Sequence, residues 1–350
     1  MISAYFFKPT SWIAPADTGS IPRGRSVVRS FSWVADGGCE SAEIEISGDW
    51  NSLHGATQRI GERVWLKDEN GDVVWWGYVA TASVGGNTVS IEPLYNRVTV
   101  SWDDGTTTGV TAPISDALSI AKYGIKETVI AGGKITAAAA ATLAQRFLSA
   151  RSRPINAASS IEWQAEPVAI LTCLGYASYL NWRRMDSFAT AGISPTEVIM
   201  ANCVSLSQLA GITAPVTGVT TQREEAATAL EQFKKAMIIG TAAGLGLRAY
   251  VTTAGYMVVT TEPLGRSPIL DRPFLLADRD NYSTAERIPI RKSMIPRTVC
   301  GSWVYRSDES QLAKVYGANR DLFFADRMVY NGDGSINLYT REVKIGYENW

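Results

Sequence analysis

The sequence predicts an α+β, β-dominated fold: two small β-barrel-like domains with an α-rich insertion between them. Three observations carry this. Short β-branched and aromatic runs, separated by tight turns, fill the first 104 residues. An Ala-rich helical pattern follows. After residue 217 the text returns to one helix and then to hairpins. The boundaries fall at 1–104, 105–216 and 217–350. A chain of 350 residues suits about two or three domains at roughly 100–200 residues each.

The elements follow in order. Ser26 to Trp33 is rich in Val, Phe and Trp, and Glu43 to Ser47 alternates strictly, as a half-buried strand does. Arg63 to Lys67 and Val73 to Ala82 flank Asn70-Gly71, the strongest short hairpin signal. Gly85-Gly86-Asn87 turns into a strand over Thr88 to Pro93, and Asn96 to Trp102 alternates again. Ser115 to Lys122 predicts a helix with Ser115 as N-cap and Asp116 in its first turn. Thr136 to Ser149 is a second helix, capped by Thr136, with Leu143, Phe147 and Leu148 on one face and Pro154 beyond its end. The apolar run Val168 to Leu180 reads equally as strand or helix, because Gly175 interrupts either period. Pro195 opens a helix through Leu209, Gly211 to Gly218 reads as a linker, and Thr221 to Gly240 is a further helix. Residues 247–252 and 256–261 form a hairpin. Short strands follow near Ile288, Thr298 to Tyr305, Arg327 to Tyr330 and Ile336 to Val343, with a turn at Asn331-Gly332-Asp333-Gly334.

Composition narrows the function. Hydrophobic residues are 46%, charged residues 19% and the formal net charge is −1. That balance excludes disorder and argues against general nucleic-acid binding, which needs a basic excess to neutralise phosphates. The single histidine, His54, removes multi-His zinc sites and leaves a Ser–His or Cys–His device one possible base. Cys39, Cys173, Cys203 and Cys300 form no CxxC pair, and the apolar flank of Cys173 suits a buried thiol folded in a reducing compartment. The N-terminus lacks a signal-peptide pattern, and no window approaches ~18 uninterrupted apolar residues, so no membrane insertion is expected.

The chain carries no Walker A, G-x-S-x-G or HExxH motif in the right context. His54, between Leu53 and Gly55, reads as an exposed loop residue. Asp103-Asp104 reads as a solvated turn, and Glu224-Glu225 as helix first-turn residues that favour the dipole. Asp278 to Asn281 and Asn331 to Gly334 lack the spacing of a calcium loop. Trp75-Trp76 lies in a strand, so the rings point to opposite faces: one faces the core, and the other faces outward unless a partner or another domain covers it, where an exposed ring makes a subunit contact or a sugar platform. Subunit contact is the favoured reading. No residue stands out as catalytic, cofactor-binding or metal-ligating, and no cofactor is expected.

Three phrases in a fixed order resemble the hub proteins at the tail tips or baseplates of tailed bacteriophages and their prophage relatives. Trp75-Trp76-Gly77-Tyr78-Val79, continued by Ile91 to Trp102 (IEPLYNRVTVSW), is similar to the end of the first hub barrel. Ile120 to Glu127 (IAKYGIKE) resembles the family's R-Y-G-x-R-E segment, with Lys122 and Lys126 where the family carries Arg. Val168 to Arg184 (VAILTCLGYASYLNWRR) resembles its V-x-C-x-G-Y-x-x-L-x-W-R segment, and the Ala-rich helix sits where the family has one. Together these span residues 70–190.

The resemblance implies a structural virion protein of the tail, folded in the bacterial cytoplasm and not an enzyme. It implies a homotrimer whose paired barrels form a pseudo-sixfold ring joining the tail tube, or a distal tail protein, to a central spike or fibre. Tape-measure protein and DNA would pass through the lumen without tight binding, which the near-zero net charge suits. The chain ends soon after its second β region, so no fused spike or lytic domain is expected. The alternatives are a distal tail ring protein, set apart by sixfold assembly, and a carbohydrate-binding or carbohydrate-active tail protein using its Trp residues. A tail peptidase is poorly served by one histidine, although a Ser–Lys device stays open.

Overall fold

The computed structural model describes residues 2–9, 18–34, 36–158, 168–182, 248–251, 257–260, 286–289, 303–305, 322–333 and 335–341. Within them the chain is β-dominated. Its first part runs β1 (Ser3–Phe7), β2 (Arg25–Val34), β3 (Asp36–Ser47), α1 (Trp50–Thr57), β4 (Arg63–Lys67), β5 (Val73–Val84) and β6 (Asn87–Ser90). A second group is β7 (Arg97–Asp103), β8 (Thr108–Val110), β9 (Ile114–Ser115), α2 (Ala117–Tyr123), β10 (Glu127–Ala131) and α3 (Ala137–Arg151). Then come β11 (Ile155–Ala158), β12 (Val168–Gly175) and a 3-10 helix, Tyr176–Trp182. The last strands are β13 (Arg248–Val251), β14 (Met257–Thr260), β15 (Glu286–Pro289), β16 (Trp303–Tyr305), β17 (Leu322–Asn331) and β18 (Ser335–Arg341).

The large sheet runs β1-β4-β5-β12-β3-β2-β17-β18-β15, with β6 and β11 beside β5, β13 and β14 beside β3, and β16 beside β17. Its ladders trace an open path, so they do not draw the two expected barrels as closed rings. β1 does come back within 8 Å of β2 between Cα atoms, and Phe6 bridges Ser20 just upstream of β2. The alternation read at Glu43 to Ser47 holds: Ala42, Ile44 and Ile46 are buried while Glu43 and Glu45 face outward and meet Arg29 at 3.1 and 2.7 Å.

The apolar run from Val168 resolves into strand first and 3-10 helix second. β12 lies antiparallel between β3 and β5, deep in the sheet built from the first 84 residues. The switch falls at Gly175, where a Cβ would clash with the Cys39 carbonyl, so only glycine lets the chain turn that close to β3. Tyr176, Tyr179 and Trp182 then fold onto Tyr78, with Tyr78 stacked on Tyr179 at 4.4 Å and edge-on to Trp182 at 5.4 Å.

The second sheet is β10-β7-β8 with β9 on β7, and β10 runs parallel to β7. Val98 and Val100 of β7 meet Ala140, Ala144 and Leu148 of α3 in a second small core. The buried stripe of α3 is thus Ala140, Ala144 and Leu148 at four-residue spacing, with Leu143 and Phe147 at its margin.

Several expectations need correction. Trp75 and Trp76 are both buried, at 0% and 6% exposure. Trp33 of the same chain meets Trp76 edge-on at 5.1 Å, so the covering surface is intramolecular and the pair supplies no subunit contact. The cap of α2 is Asp116, not Ser115: its carboxylate accepts from the Ser119 amide at 3.0 Å. The strand from Thr88 ends at Ser90. Cys173, in contrast, is buried as its apolar flank predicts, Cys39 is buried too, and neither is in a disulfide. The predicted helices 194–209 and 221–240, the linker 211–218, Glu224-Glu225, Asp278 to Asn281, Cys203 and Cys300 lie outside the described residues.

Candidate functional site

His54 is not in a loop. It sits in the last turn of α1, an eight-residue helix that the sequence reading missed. A signal for it exists: Asp49 stands three residues before Ser52, and Leu53 and Ala56 supply a short apolar face. The Asp49 carboxylate accepts from the Ser52 amide at 2.9 Å and from its hydroxyl at 2.6 Å. Those two donors hold the Asp49 carboxyl below its ordinary range.

Between α1 and the strand-entry segment Ser20 to Arg23 lies an open groove of about 450 Å³. Pro22 and Ile46 form part of its wall, and Asn51, Gly55, Gln58 and Arg59 face it from α1 and the turn beyond. Arg59 anchors one end: it meets Glu62 at 2.7 Å, donates to the Ser20 hydroxyl at 3.2 Å and lies 4.4 Å over the Phe6 ring. Burial still raises the Glu62 carboxyl above its ordinary value, the opposing pull of Arg59 notwithstanding. His54 Nε2 lies 3.1 Å from Gln58 Nε2. Trp50 and Ile21 are among the exposed large apolar residues, and each directly precedes a residue of the groove wall.

A second cluster joins the two cores. Asn96 is buried and donates to the Gly124 carbonyl at 2.7 Å and to the Ser119 hydroxyl at 3.2 Å, while its Oδ1 accepts from the Lys126 amide at 2.8 Å. Lys126 is buried beside it. Its Nζ donates to the carbonyls of Ile91, at 3.2 Å, and Glu92, and lies 5.3 Å from the Tyr95 ring and 5.2 Å from Trp182. Burial pulls its pKa down to about 8, with Glu92 pulling the other way. Arg63 enters the same aromatic group, 5.2 Å over Tyr176 and 5.3 Å over Tyr179. Both cations are held by packing: Lys126 by carbonyls and rings, Arg63 by rings and by the Pro9 carbonyl at 3.1 Å.

The remaining residues read from the sequence fall as follows. Asp103 is the last residue of β7, and Asp104 begins the turn that follows it. Asp104 accepts from the Thr106 hydroxyl at 2.7 Å and from the Thr106 and Thr107 amides at 2.9 and 2.7 Å, which together lower its pKa, and Asp103 accepts from the Gly105 amide at 2.7 Å. Asn331 to Asp333 belong to the β17–β18 hairpin connection. Among the described residues, no group of three or more His, Cys, Asp or Glu is placed to hold a metal ion. No described helix is long and apolar enough to cross a membrane.

No family model matches the chain, and no curated protein matches it. Among solved structures, the chain is similar to the 43 kDa tail protein of prophage MuSo2 from Shewanella oneidensis, with a TM-score of 0.43 and 9% identity over 97% of each chain. It is also similar to a tail protein from Neisseria meningitidis MC58, with a TM-score of 0.39 and 9% identity over 98% of this chain and 96% of that one.

Proposed function

We propose that this chain is a non-enzymatic structural subunit of a bacteriophage tail, acting as the hub of the tail tip or baseplate. The observation that carries the reading is where the hub-like phrases meet. They are spread over residues 70–190, yet β5 of the first phrase pairs with β12 of the third. Lys126 of the second caps carbonyls of the first and touches Trp182 of the third. Three phrases that converge on one buried joint act as a framework, not as an active site.

In this reading three copies close a pseudo-sixfold ring between the tail tube, or a distal tail protein, and a central spike or fibre. Tape-measure protein and DNA traverse its lumen, which a net charge of −1 leaves without a strong hold on phosphate. Closed ring symmetry also buries sheet edges that an open path leaves unpaired. Light scattering on the purified chain, with negative-stain imaging, tests it. A threefold particle is expected. A sixfold ring would instead make the chain a distal tail ring protein, and a monomer that stays monomeric with tail-tube protein added would reject ring assembly.

A further inference from the structure

We infer that the small sheet continues from copy to copy, with β10 of one copy added as an antiparallel strand to β8 of the next. This rests on the ring reading and names the surface that closes the ring.

The hydrogen bonds of β7 show which backbone groups its sheet leaves over. The odd residues of β7 turn toward β10: the Arg97 amide donates to the Lys126 carbonyl at 3.2 Å, and the Ser101 carbonyl accepts from the Gly132 amide at 2.8 Å. Successive residues of a strand bond to opposite sides, so Thr128 and Ile130 also face β7. The amides and carbonyls of Val129 and Ala131 then face outward. The even residues of β7 turn the other way. The Val100 carbonyl accepts from the Thr111 amide at 2.9 Å, and Trp102 is paired with Gly109. Thr108 and Val110 of β8 therefore face outward too. Among the described residues, no strand or hydrogen bond occupies either edge. Neither Thr108 to Val110 nor Thr128 to Ala131 carries a charge, a proline or a bulge, the devices that keep edges apart.

The two edges match in spacing, direction and face. Each offers two outward residues separated by one inward residue. β10 runs parallel to β7 and β8 runs against it, so repeating the sheet unturned sets β10 antiparallel to β8 of the next copy. Val98 and Val100 face α3. Val129 is paired with Thr99, and Val110 with Ser101, so both lie on the opposite face. Setting Val129 against Val110 and Ala131 against Thr108 keeps all four on that face, and each pair can exchange both of its hydrogen bonds. A hollow of about 220 Å³ lies against Thr108 and Val110, with Ser101 and Asp103 in its wall, where the incoming Val129 side chain lands. Head-to-tail pairing uses both edges, and a contact of that kind closes into a ring. A two-fold pairing of β10 with itself leaves β8 open.

The test places Thr108→Cys and Ala131→Cys in one full-length chain, oxidises it with diamide and reads covalent species on a non-reducing gel. Directly opposed residues stand about 5.5 Å apart between Cα atoms, inside the span a disulfide accepts. Both positions are exposed, so neither cysteine disturbs a core. The wild type, with its four native cysteines, sets the background. Covalent trimers are expected from the double variant and from neither single one. Adding Val129→Pro should abolish them, because it removes an outward amide and leaves the ladder to β7 intact. Dimers from Ala131→Cys alone, or cross-linking that survives Val129→Pro, overturn the inference. A threefold particle in light scattering without the cross-link overturns it too and leaves the ring reading standing. A covalent six-membered ring keeps the edge pairing and overturns the threefold hub. A chain that stays monomeric with tail-tube protein added overturns both.

Discussion

Lys126 shows how much one side chain can hold. Its amino group sits inside the joint, capped by the Ile91 and Glu92 carbonyls and flanked by Tyr95 and Trp182. Burial favours the neutral amine, so the folded pKa is about 8 against an ordinary value near 10.5. Below about pH 8 the amine is charged in both states and the full burial cost is present. Between about 8 and 10.5 the unfolded chain holds a proton that the folded chain has released, so this group's contribution to stability rises with pH. Other groups oppose it: burial also raises the Tyr78, Tyr176 and Cys173 pKa values, and their ionisation on unfolding favours the unfolded state at high pH. A difference against Lys126→Met removes those shared effects. The urea-derived stability of the wild type minus that of Lys126→Met should increase by about 2 kcal/mol from pH 7 to pH 9.5. A difference that stays flat across that range would mean the amine is well hydrated.

At the scale of elements, what is legible is what repeats locally. The alternation of β3, the Asn70-Gly71 hairpin between β4 and β5, and the Thr136 cap of α3 are all written in adjacent residues. α1 was missed because an eight-residue helix shows barely two turns of period, and its Gly55 argues against a helix. β12 was ambiguous because a strand covered on both edges and largely buried is as apolar as a core helix. α3 can be tested as an element. Its Thr136 hydroxyl accepts from the Ala139 amide at 3.3 Å, and Leu148 is its one large buried residue. Thr136→Ala should cost about 1 kcal/mol, and Leu148→Ala about 2–4 kcal/mol, in chemical denaturation. The larger loss is expected because Leu148 is the largest buried side chain of the small core it shares with Val98, Val100, Ala140 and Ala144, and its removal leaves a void there. Equal costs for the two would mean that α3 is held by its cap and not by its packing.

Across the whole molecule the governing contacts are long-range, and local pattern does not encode them. β17 pairs with β2 across some three hundred residues, and Arg327 meets Glu40 at 2.7 Å. The candidate groove is long-range as well, since Ser20 to Arg23 close over α1 only once β2 and β3 have paired. Two cores result, one inside the large sheet and one beneath α3, and they meet at Asn96 and Lys126. Asn96 uses both donors and its acceptor there, so its removal strands three buried or half-buried partners at once. Each stranded group costs about 1–3 kcal/mol, which is enough to separate the two cores energetically. Asn96→Ala should therefore speed amide exchange through β7, β10 and α3 while β5 and β12 keep their protection, as expected when one cooperative unit opens without the other. Hydrogen exchange read by mass spectrometry resolves these segments. If exchange rises equally in both sets, the two sheets unfold as a single unit and Asn96 is an ordinary core contact. If only the small sheet opens, the joint is the point at which force or a partner could move one sheet against the other.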